Sequence, residues 1–221
     1  MPNYAIIVAA GKGKRFRGKK QFVMLNHTPL LIHTLRPFEQ SKMIDHIIVV
    51  VPKGSIDKTK KYIRTYRMKK VHKIVAGGPR RQDSVLRGFD TIKNQKGIVA
   101  IHDGVRPLIS KTLINRGISL CKKYGAVIFG IKINDTIKQV KKRRVLKTVP
   151  RENLYSIQTP QFFKLSLLRS AFDKANLRYE YTDEASILES TGIPVYLFIG
   201  DKKNIKITHR SDLEFLKKFI K

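Results

Sequence analysis

A run of glycines and basic residues stands directly after an apolar stretch near the start of the chain. Residues 9–22 read AAGKGKRFRGKKQF, in which three glycines space six Lys or Arg residues. A glycine-rich turn after a strand exposes backbone amides that bind phosphate oxygens, and fixed cations such as Arg15 and Lys20 add charge. The stretch indicates a phosphate site, and a solvated surface turn is the alternative when it is taken alone.

Two known phosphate-binding patterns fit these residues incompletely. Residues 13–20 nearly match GxxxxGK[ST], but Lys20 stands where the hydroxyl residue that holds Mg²⁺ is required. The dinucleotide pattern GxGxxG would need a glycine where Phe16 stands. Neither an ordinary P-loop nor a dinucleotide site is therefore predicted.

A carboxylate and an arginine lie close together in the stretch HDGVRP, residues 102–107. Asp103 is suited to holding Mg²⁺, and Arg106 is suited to a polar or anionic ligand. A capping aspartate beside a surface arginine is the alternative interpretation. The pair predicts a polar ligand site if the fold brings it to the glycine-rich loop.

Three further stretches carry candidate residues. GGPRRQDS (77–84) is a second glycine turn that could bring backbone close to a flat base, and an ordinary helix start is its alternative. TDEAS (182–186) is most simply a capped helix start with acids in its first turn. NIKIT (204–208) predicts a strand with Lys206 on one face, where a solvated lysine is the alternative.

The elements that must position these residues alternate along the first part of the chain. Short runs rich in Ile and Val predict buried strands at 4–10, 46–52, 71–77, 97–103 and 125–131. Helical spacing predicts helices at 28–40, 55–67, 82–93 and 110–123. This order predicts an α/β fold, a Rossmann-like and mostly parallel sheet with helices on both faces. Ligands bind beyond the carboxyl ends of such strands, where the glycine turns and Asp103 fall.

The pattern changes after residue 131. Alternating polar and apolar residues with a basic turn at 141–144 predict a β-hairpin with polar faces, an arm over about 133–152 that needs a partner surface. Beyond it, helices are predicted at 164–175, 182–190 and 210–220, and strands at 195–200 and 204–208. No repeat or linker divides the chain, so one domain over 1–221 is predicted.

Composition limits the classes of function without choosing one. The 46 Lys and Arg against 16 Asp and Glu give a formal charge of +30, which attracts any polyanion. Lysines lie along the whole chain, so a generally basic surface is expected, and Lys12, Lys14, Arg17 and Lys19 are assigned to it. A nucleic-acid-binding protein is the rival class, but Trp is absent and the aromatic residues mostly occupy apolar positions, so no specific nucleic-acid site is predicted.

The single cysteine and the hydropathy of the chain indicate its compartment. Cys121 alone excludes an internal disulfide or a Cys-based zinc site and favours a reducing compartment. No apolar run approaches the roughly 18–20 residues that a membrane span needs. A cytoplasmic protein without a membrane partner is expected.

Nine stretches in order resemble the cytidylyltransferase family that makes CDP-methylerythritol from CTP and 2-C-methyl-D-erythritol 4-phosphate. They are AAGKGKRF, KQF, GGPRRQDSV, HDGVRP, DTIK, TVPRENL, QTPQFF, TDEAS and NIKIT. Ribitol-5-phosphate cytidylyltransferases share the glycine loop, HDxxRP and TPQ. Lys138 after DTI, RQDSV and TDEAS favour methylerythritol phosphate, whereas Val105 favours ribitol phosphate. Sugar-1-phosphate nucleotidylyltransferases share a similar opening loop but do not explain DTIK followed by QTPQFF.

The resemblance implies a nucleotidyltransferase fold, an activity and a set of site residues. A phosphate oxygen of the polyol phosphate attacks the α-phosphorus of CTP in line and pyrophosphate leaves, in the non-mevalonate route to isoprenoid precursors. Mg²⁺ is the implied cofactor, with Asp103 as its ligand. The implied catalytic residues are Arg15, Lys20, Asp103 and Lys206. The implied CTP-binding residues are Ala9, Ala10, Gly11, Gly13, Gly77, Gly78, Arg81 and Ser84.

A second set of residues is implied for the polyol phosphate. It comprises Arg106, Thr136, Arg151 and Thr159. In the family the hairpin arm crosses to the other subunit of a homodimer, so each site is composite and Arg151 and Thr159 contact the phosphate bound mainly by the partner. The family usually has Pro-Lys-Gln where this chain has Lys19-Lys20-Gln21, so Lys20 is preferred over Lys19 because it precedes Gln21.

Overall fold

The protein is described by a computed structural model over residues 1–11, 13, 15–16 and 18–220. The strands are β1 (Tyr4–Val8), β2 (Met24–Leu25), β3 (Thr28–Pro29), β4 (His46–Val51), β5 (Val71–Ala76), β6 (Ile98–Asp103), β7 (Ala126–Lys132), β8 (Ile137–Lys141), β9 (Arg144–Val149), β10 (Tyr155–Lys164) and β11 (Tyr196–Ile199). The helices are α1 (Leu30–Gln40), α2 (Ile56–Thr65), α3 (Arg81–Phe89), α4 (Lys111–Tyr124), α5 (Leu165–Lys174), α6 (Glu184–Ser190) and α7 (Ser211–Lys217). Lys12, Lys14 and Arg17, assigned above to the basic surface, lie outside the described residues.

The main sheet has seven strands within the described residues, in the order β11-β7-β10-β6-β1-β4-β5. β1 pairs in parallel with β4 and β6, β4 with β5, and β7 with β11. β10 runs antiparallel between β6 and β7. The prediction of a mostly parallel α/β sheet is confirmed.

Helices cover both faces of the sheet because its strands are apolar on both faces. Ala5 and Ile7 of β1 pack into the core that α1 and α4 cover, whereas Ile6 packs into the core beneath α3 and α5. Side chains alternate between the two faces along a strand, so one run of Ile and Val serves both cores. The predicted two-sided arrangement is therefore confirmed.

Two segments differ from the sequence prediction. The predicted strand at 204–208 is wrong, because this segment joins no sheet and its Ile207 N–H donates to the carbonyl oxygen of Val105 at 2.9 Å. The apolar side chain of Ile207 in this segment is instead buried against Phe16 and Val105. β10, which no periodicity predicted, occupies the middle of the sheet and contains the QTPQFF stretch.

The predicted hairpin arm is confirmed as β8 and β9, which pair only with each other among the described strands. Its turn places Lys142 and Arg143 at φ of 45° and 70°. Three apolar side chains of the arm, Val140, Val145 and Leu146, are 53%, 54% and 51% exposed. The arm thus presents apolar surface that its own chain leaves uncovered.

Two further expectations concern the whole chain. None of the helices in the described ranges is both long and apolar enough to cross a membrane. The single domain over residues 1–221 stays a prediction.

Candidate functional site

A cavity of about 360 Å³ opens at the carboxyl ends of β1, β5 and β6. Parallel strands place their ends at one edge of the sheet, so turns from distant parts of the chain meet there. The predicted site residues that line it are Ala9, Ala10, Gly11, Gly13, Arg15, Lys20, Gly78, Arg81, Ser84, Asp103 and Lys206. The structure therefore gathers most of the predicted residues around one space.

Asp103, the last residue of β6, is the charged centre of this cavity. Its carboxylate is met by Arg81 Nε at 3.2 Å, by Lys206 Nζ at 2.7 Å and by Arg106 Nε at 3.9 Å. Burial alone would raise the pKa of Asp103, but Arg81, Lys206 and Arg106 outweigh it and hold the pKa well below its usual range. Asp103 is therefore ionised at any physiological pH.

Glu184, in the first turn of α6, is a site residue that sequence reasoning missed. It is fully buried, and Arg81 Nη1 donates to its two carboxylate oxygens at 2.8 and 2.9 Å. Burial raises the pKa of Glu184 above its ordinary value, since Arg81 is opposed by the charges of Asp183 and Asp103. Arg81 is thereby held between two carboxylates, and its Nη2 is buried without a partner among the described atoms.

One residue of the glycine-rich loop, Gly13, has a backbone conformation that only glycine adopts easily. Gly13 has a φ of +64°, and a Cβ there would lie 2.0 Å from the carbonyl oxygen of Gly18. Phe16, which also lines the cavity, packs into a buried cluster with Val105 and Ile207. Gln21, unassigned by the sequence, donates from Nε2 to the carbonyl oxygen of Ala9 at 2.8 Å and so fixes the following turn.

Lys20 occupies the start of that turn and points into the cavity. Its Nζ donates to the carbonyl oxygen of Ile207 at 2.6 Å, whereas the neighbouring Lys19 is exposed. Burial lowers the pKa of Lys20, and the positive charges of Lys206 and Arg15 lower it further. Lys20 is thus a half-buried cation beside two others.

The pH dependence of kcat/KM for CTP is expected to report this environment, because that ratio follows ionisation of the free enzyme. Since the pKa of Lys20 is below the usual 10.5, its charge is lost at a lower pH than an ordinary lysine's. The alkaline fall in kcat/KM should therefore begin early, and Lys20→Arg should move it to higher pH, because arginine stays charged. An alkaline limb that Lys20→Arg leaves in place would contradict this.

The second glycine turn brings the end of β5 against the end of β1. A Cβ on Gly77 would lie 2.2 Å from the Cβ of Ala10, so glycine is needed for this approach. The backbone N–H of Gly78 donates to Ser84 Oγ at 3.0 Å, which ties the turn to α3. Gly77 thus adjoins the cavity that Gly78 and Ser84 line.

Next to Asp103, the buried polar residues His102, Thr159 and Asn204 are joined by hydrogen bonds, and the sequence predicted this cluster only in part. His102 Nδ1 is 3.1 Å from Thr159 Oγ1, and its Nε2 is 3.1 Å from the carbonyl oxygen of Arg106. Burial lowers the pKa of His102 to about 3, so the imidazole is neutral. Asn204 Nδ2 donates to the carbonyl oxygen of Thr159 at 2.8 Å. Motif position identified Thr159 and Arg106, whereas His102 and Asn204 stand in the motifs HDGVRP and NIKIT but were assigned no role from the sequence.

The loop that carries Lys206 is fastened by the same strand, β10. Gln158 Nε2 donates to the carbonyl oxygen of Asp201 at 2.8 Å and receives the Asp201 N–H on Oε1 at 3.2 Å. Arg106 Nη1 donates to the carbonyl oxygen of Asn204 at 2.8 Å. These bonds fix the direction from which Lys206 reaches Asp103.

Two predicted polyol-phosphate residues lie away from this cavity, at the base of the arm. Thr136 and Arg151 are exposed, and the Arg151 guanidinium donates to the carbonyl oxygen of Asn134. Neither is among the residues that line the cavity of their own chain.

The donor set indicates what kind of metal could bind. No group of three His, Cys, Asp or Glu side chains gathers anywhere in the described residues, and Asp103 is the one carboxylate among the described residues lining the cavity. Mg²⁺ commonly takes one or two carboxylates and completes its shell with water and substrate phosphates. The buried, ionised Asp103 therefore fits a Mg²⁺ ion that arrives with a polyphosphate.

Charge determines what the cavity can do chemically. Arg15, Lys20 and Lys206 line it beside the Arg81–Asp103 pair, so cations outnumber carboxylates at its wall. Fixed cations in a partly buried site stabilise phosphate charge more strongly than they would in water. The arrangement suits a polyphosphate whose reaction needs charge neutralisation.

Comparison with a family model, with relatives and with solved structures shows which proteins this chain is similar to. The family model described as 2-C-methyl-D-erythritol 4-phosphate cytidylyltransferase (IspD) matches residues 4–221. A protein of that name from Clostridium novyi is 43% identical over 96% of this chain and 93% of its own. A crystal structure of the Francisella tularensis protein of that name superposes with a TM-score of 0.84 at 33% identity, covering 100% of both chains.

One relative is a longer protein. The bifunctional enzyme IspD/IspF of Desulfotalea psychrophila is 41% identical over 100% of this chain, which spans 58% of that enzyme. The match of the family model over residues 4–221 does not depend on that relative's additional length. The chain belongs to the 2-C-methyl-D-erythritol 4-phosphate cytidylyltransferase family.

Proposed function

We propose that this chain transfers CMP from CTP to 2-C-methyl-D-erythritol 4-phosphate, giving CDP-methylerythritol and pyrophosphate. The observation that carries the proposal is the set of cations Arg15, Lys20 and Lys206 around the buried carboxylate of Asp103, at the carboxyl ends of parallel strands. The names of the relatives favour methylerythritol phosphate over the ribitol phosphate that the motifs left open.

The reaction needs no nucleophilic side chain, because the attacking phosphate oxygen is already ionised at neutral pH. That oxygen forms a bond to the α-phosphorus of CTP while the bond to the leaving pyrophosphate oxygen breaks. Arg15, Lys20 and Lys206 neutralise the charge that builds on the phosphoryl oxygens, and the cavity holds two anions together that would repel each other in water. The backbone amides of Gly11 and Gly13 add donors toward the triphosphate.

Within this proposal Asp103 holds Mg²⁺, and the two glycine turns hold the nucleoside. A bound Mg²⁺ ion supplies positive charge to the triphosphate and its leaving pyrophosphate. Ala9, Ala10, Gly77 and Gly78 offer small side chains and close backbone, which leave room for a flat base and ribose. Arg81 and Ser84 are the polar groups at that end of the cavity.

We further propose a homodimer in which each arm reaches the other subunit's cavity. The half-exposed Val140, Val145 and Leu146 on the arm support this, because a two-stranded hairpin has too little core to be stable without a partner. Thr136 and Arg151 then approach the polyol phosphate bound by the partner.

The reaction consumes CTP and the lone Cys121 is a buried thiol, so we place the enzyme in the cytoplasm.

Arg151→Ala is expected to raise KM for methylerythritol phosphate by about 10-fold or more, because it removes a charge-assisted hydrogen bond to a phosphate. KM for CTP should change little, since the proposal places Arg151 at the polyol phosphate and not at the triphosphate. Steady-state kinetics with each substrate varied in turn checks this. Lys147→Ala, another exposed cation of the arm, is the matched control. A rise in KM for CTP alone would contradict the arm assignment.

Pyrophosphate release from CTP tests the proposed function directly. Methylerythritol phosphate, ribitol 5-phosphate and a sugar 1-phosphate are offered in turn as the second substrate, with Mg²⁺ present. We expect rapid release with methylerythritol phosphate and far slower release with the other two. Equal or faster release with ribitol 5-phosphate would reassign the substrate. Silence with all three, together with tight RNA binding at physiological salt, would overturn the enzyme assignment.

A further inference from the structure

A chain of hydrogen bonds runs beside Asp103 through His102, Thr159 and Arg106, which are not among the described residues that line the cavity. His102 and Thr159 are 0% and 6% exposed. The Asp103 N–H donates to Thr159 Oγ1 at 3.0 Å, and Thr159 Oγ1 and the Arg106 carbonyl oxygen each lie 3.1 Å from one ring nitrogen of His102. The chain therefore joins both ends of the loop 103–106 to a single hydroxyl on β10.

The Asp103 N–H at one end of this chain can only donate, and the Arg106 carbonyl oxygen at the other end can only accept, which fixes the direction of each hydrogen bond. A carbonyl oxygen only accepts, so His102 Nε2 must carry a proton. The ring is fully buried and both of its nitrogens meet neutral partners, so the imidazole is neutral and Nδ1 accepts. Thr159 therefore donates its hydroxyl proton to His102 and accepts the Asp103 N–H on a lone pair.

We propose that His102 and Thr159 are a pair of positioning residues: the Nε2–H tautomer of His102 fixes the Thr159 hydroxyl beneath the Asp103 amide and thereby the direction in which the Asp103 carboxylate leaves β6. The carboxylate is in turn the group that Arg81 and Lys206 meet. Neither His102 nor Thr159 needs to touch substrate for this role. The inference rests on the proposed function only where enzyme activity is its readout.

This role conflicts with the phosphate contact that the family resemblance implies for Thr159. A threonine hydroxyl has one proton, and here that proton is donated to His102. A phosphate oxygen needs a donor, so it would have to take the proton from His102. The two roles therefore predict different kinetic effects when the hydroxyl is removed.

The first test uses the unaltered, substrate-free protein and needs no activity. The ¹⁵N NMR spectrum of His102 distinguishes protonated from bare ring nitrogens. We expect a proton on Nε2 and a bare Nδ1, and we expect the Thr159→Val variant to shift the Nδ1 resonance most. A proton on Nδ1 in the unaltered protein would overturn the proposal, whether or not any variant folds.

The second test separates positioning from substrate contact. Thr159→Val removes the hydroxyl at nearly constant shape, and His102→Gln keeps a donor for the Arg106 carbonyl without an acceptor at Nδ1. Each change is expected to lower kcat about 10- to 100-fold, with KM for the polyol phosphate within about threefold. The double variant should be no slower than the slower single variant, because both changes break the same contact.

The control is Thr191→Val, which removes a hydroxyl bonded to the Leu188 carbonyl oxygen after α6 and should leave kcat unchanged. Losses that multiply in the double variant would overturn the proposal, as would a rise in KM for the polyol phosphate at unchanged kcat in Thr159→Val. If the unaltered protein releases no pyrophosphate, the proposed function fails, and the nitrogen spectrum still decides the tautomer.

Discussion

Lys20→Ala is expected to lower kcat for pyrophosphate release by about 10²- to 10³-fold while the protein stays folded, because a preorganised charge aimed at the transition state is lost. The half-buried ammonium lies beside Lys206 and Arg15, so the site is prepared for an anion before the anion arrives. Saturating concentrations of both substrates isolate kcat from binding. Arg15→Ala is expected to show a loss of the same order.

Lys19→Ala is the matched control for this prediction. Lys19 is exposed and adjacent, whereas the Lys20 ammonium reaches the carbonyl oxygen of Ile207 inside the cavity. The control removes one positive charge from the same loop and should leave kcat within about twofold of the unaltered enzyme. Unchanged turnover in Lys20→Ala, or an equal loss in Lys19→Ala, would refute the assignment of Lys20 to the phosphates.

Glu184→Ala is expected to lower the free energy of unfolding by about 3 kcal/mol, the lower end of the range for breaking a buried ion pair, because Arg81 keeps Asp103 as a partner. The variant also leaves Arg81 Nη1 without its carboxylate partner, so the guanidinium is held less firmly and KM for CTP should rise. Urea unfolding followed by circular dichroism measures the first effect, and steady-state kinetics measures the second.

Glu189→Ala, at an exposed position of the same helix, is the control for this stability change. It removes the same charge and side-chain length from α6 and should change the free energy of unfolding by no more than about 0.5 kcal/mol. Glu184→Gln, which keeps shape and one acceptor for Arg81, should fall between the two. A loss below about 1 kcal/mol in Glu184→Ala would show that the buried pair contributes little.

The fold was largely predictable where the sheet is buried on both faces. The runs at 4–10, 46–52 and 97–103 contain Ile and Val on both sides of each strand, and the structure has β1, β4 and β6 there. β10 was not predicted from its pattern, because Gln158, Thr159 and Gln161 interrupt its run of apolar residues. Those polar side chains are buried with partners far along the chain, and such partners cannot be known from local spacing.

The candidate site was predictable where a motif marks a strand end and was not predictable where a side chain turns inward. TDEAS predicts a helix start, and Asp183 does cap α6 by accepting the Ser186 N–H. The same pattern assigned Glu184 to the favourable first turn, where acids are usually solvated. Its true partner, Arg81, lies 103 residues earlier, and only the tertiary fold shows the pair.

The hydrogen bond between Lys20 and Ile207 has a consequence for the order in which the site forms during translation. Its two residues are 187 positions apart, and Lys206 meets Asp103 from the same late segment. The strands β1, β4, β5 and β6 are neighbours in the main sheet. During translation these four strands can pair on the ribosome before this segment has been synthesised. A nascent chain can therefore pair these four strands early, but it gains its complete set of phosphate-facing cations only after the segment that carries Lys206 and Ile207 has been synthesised.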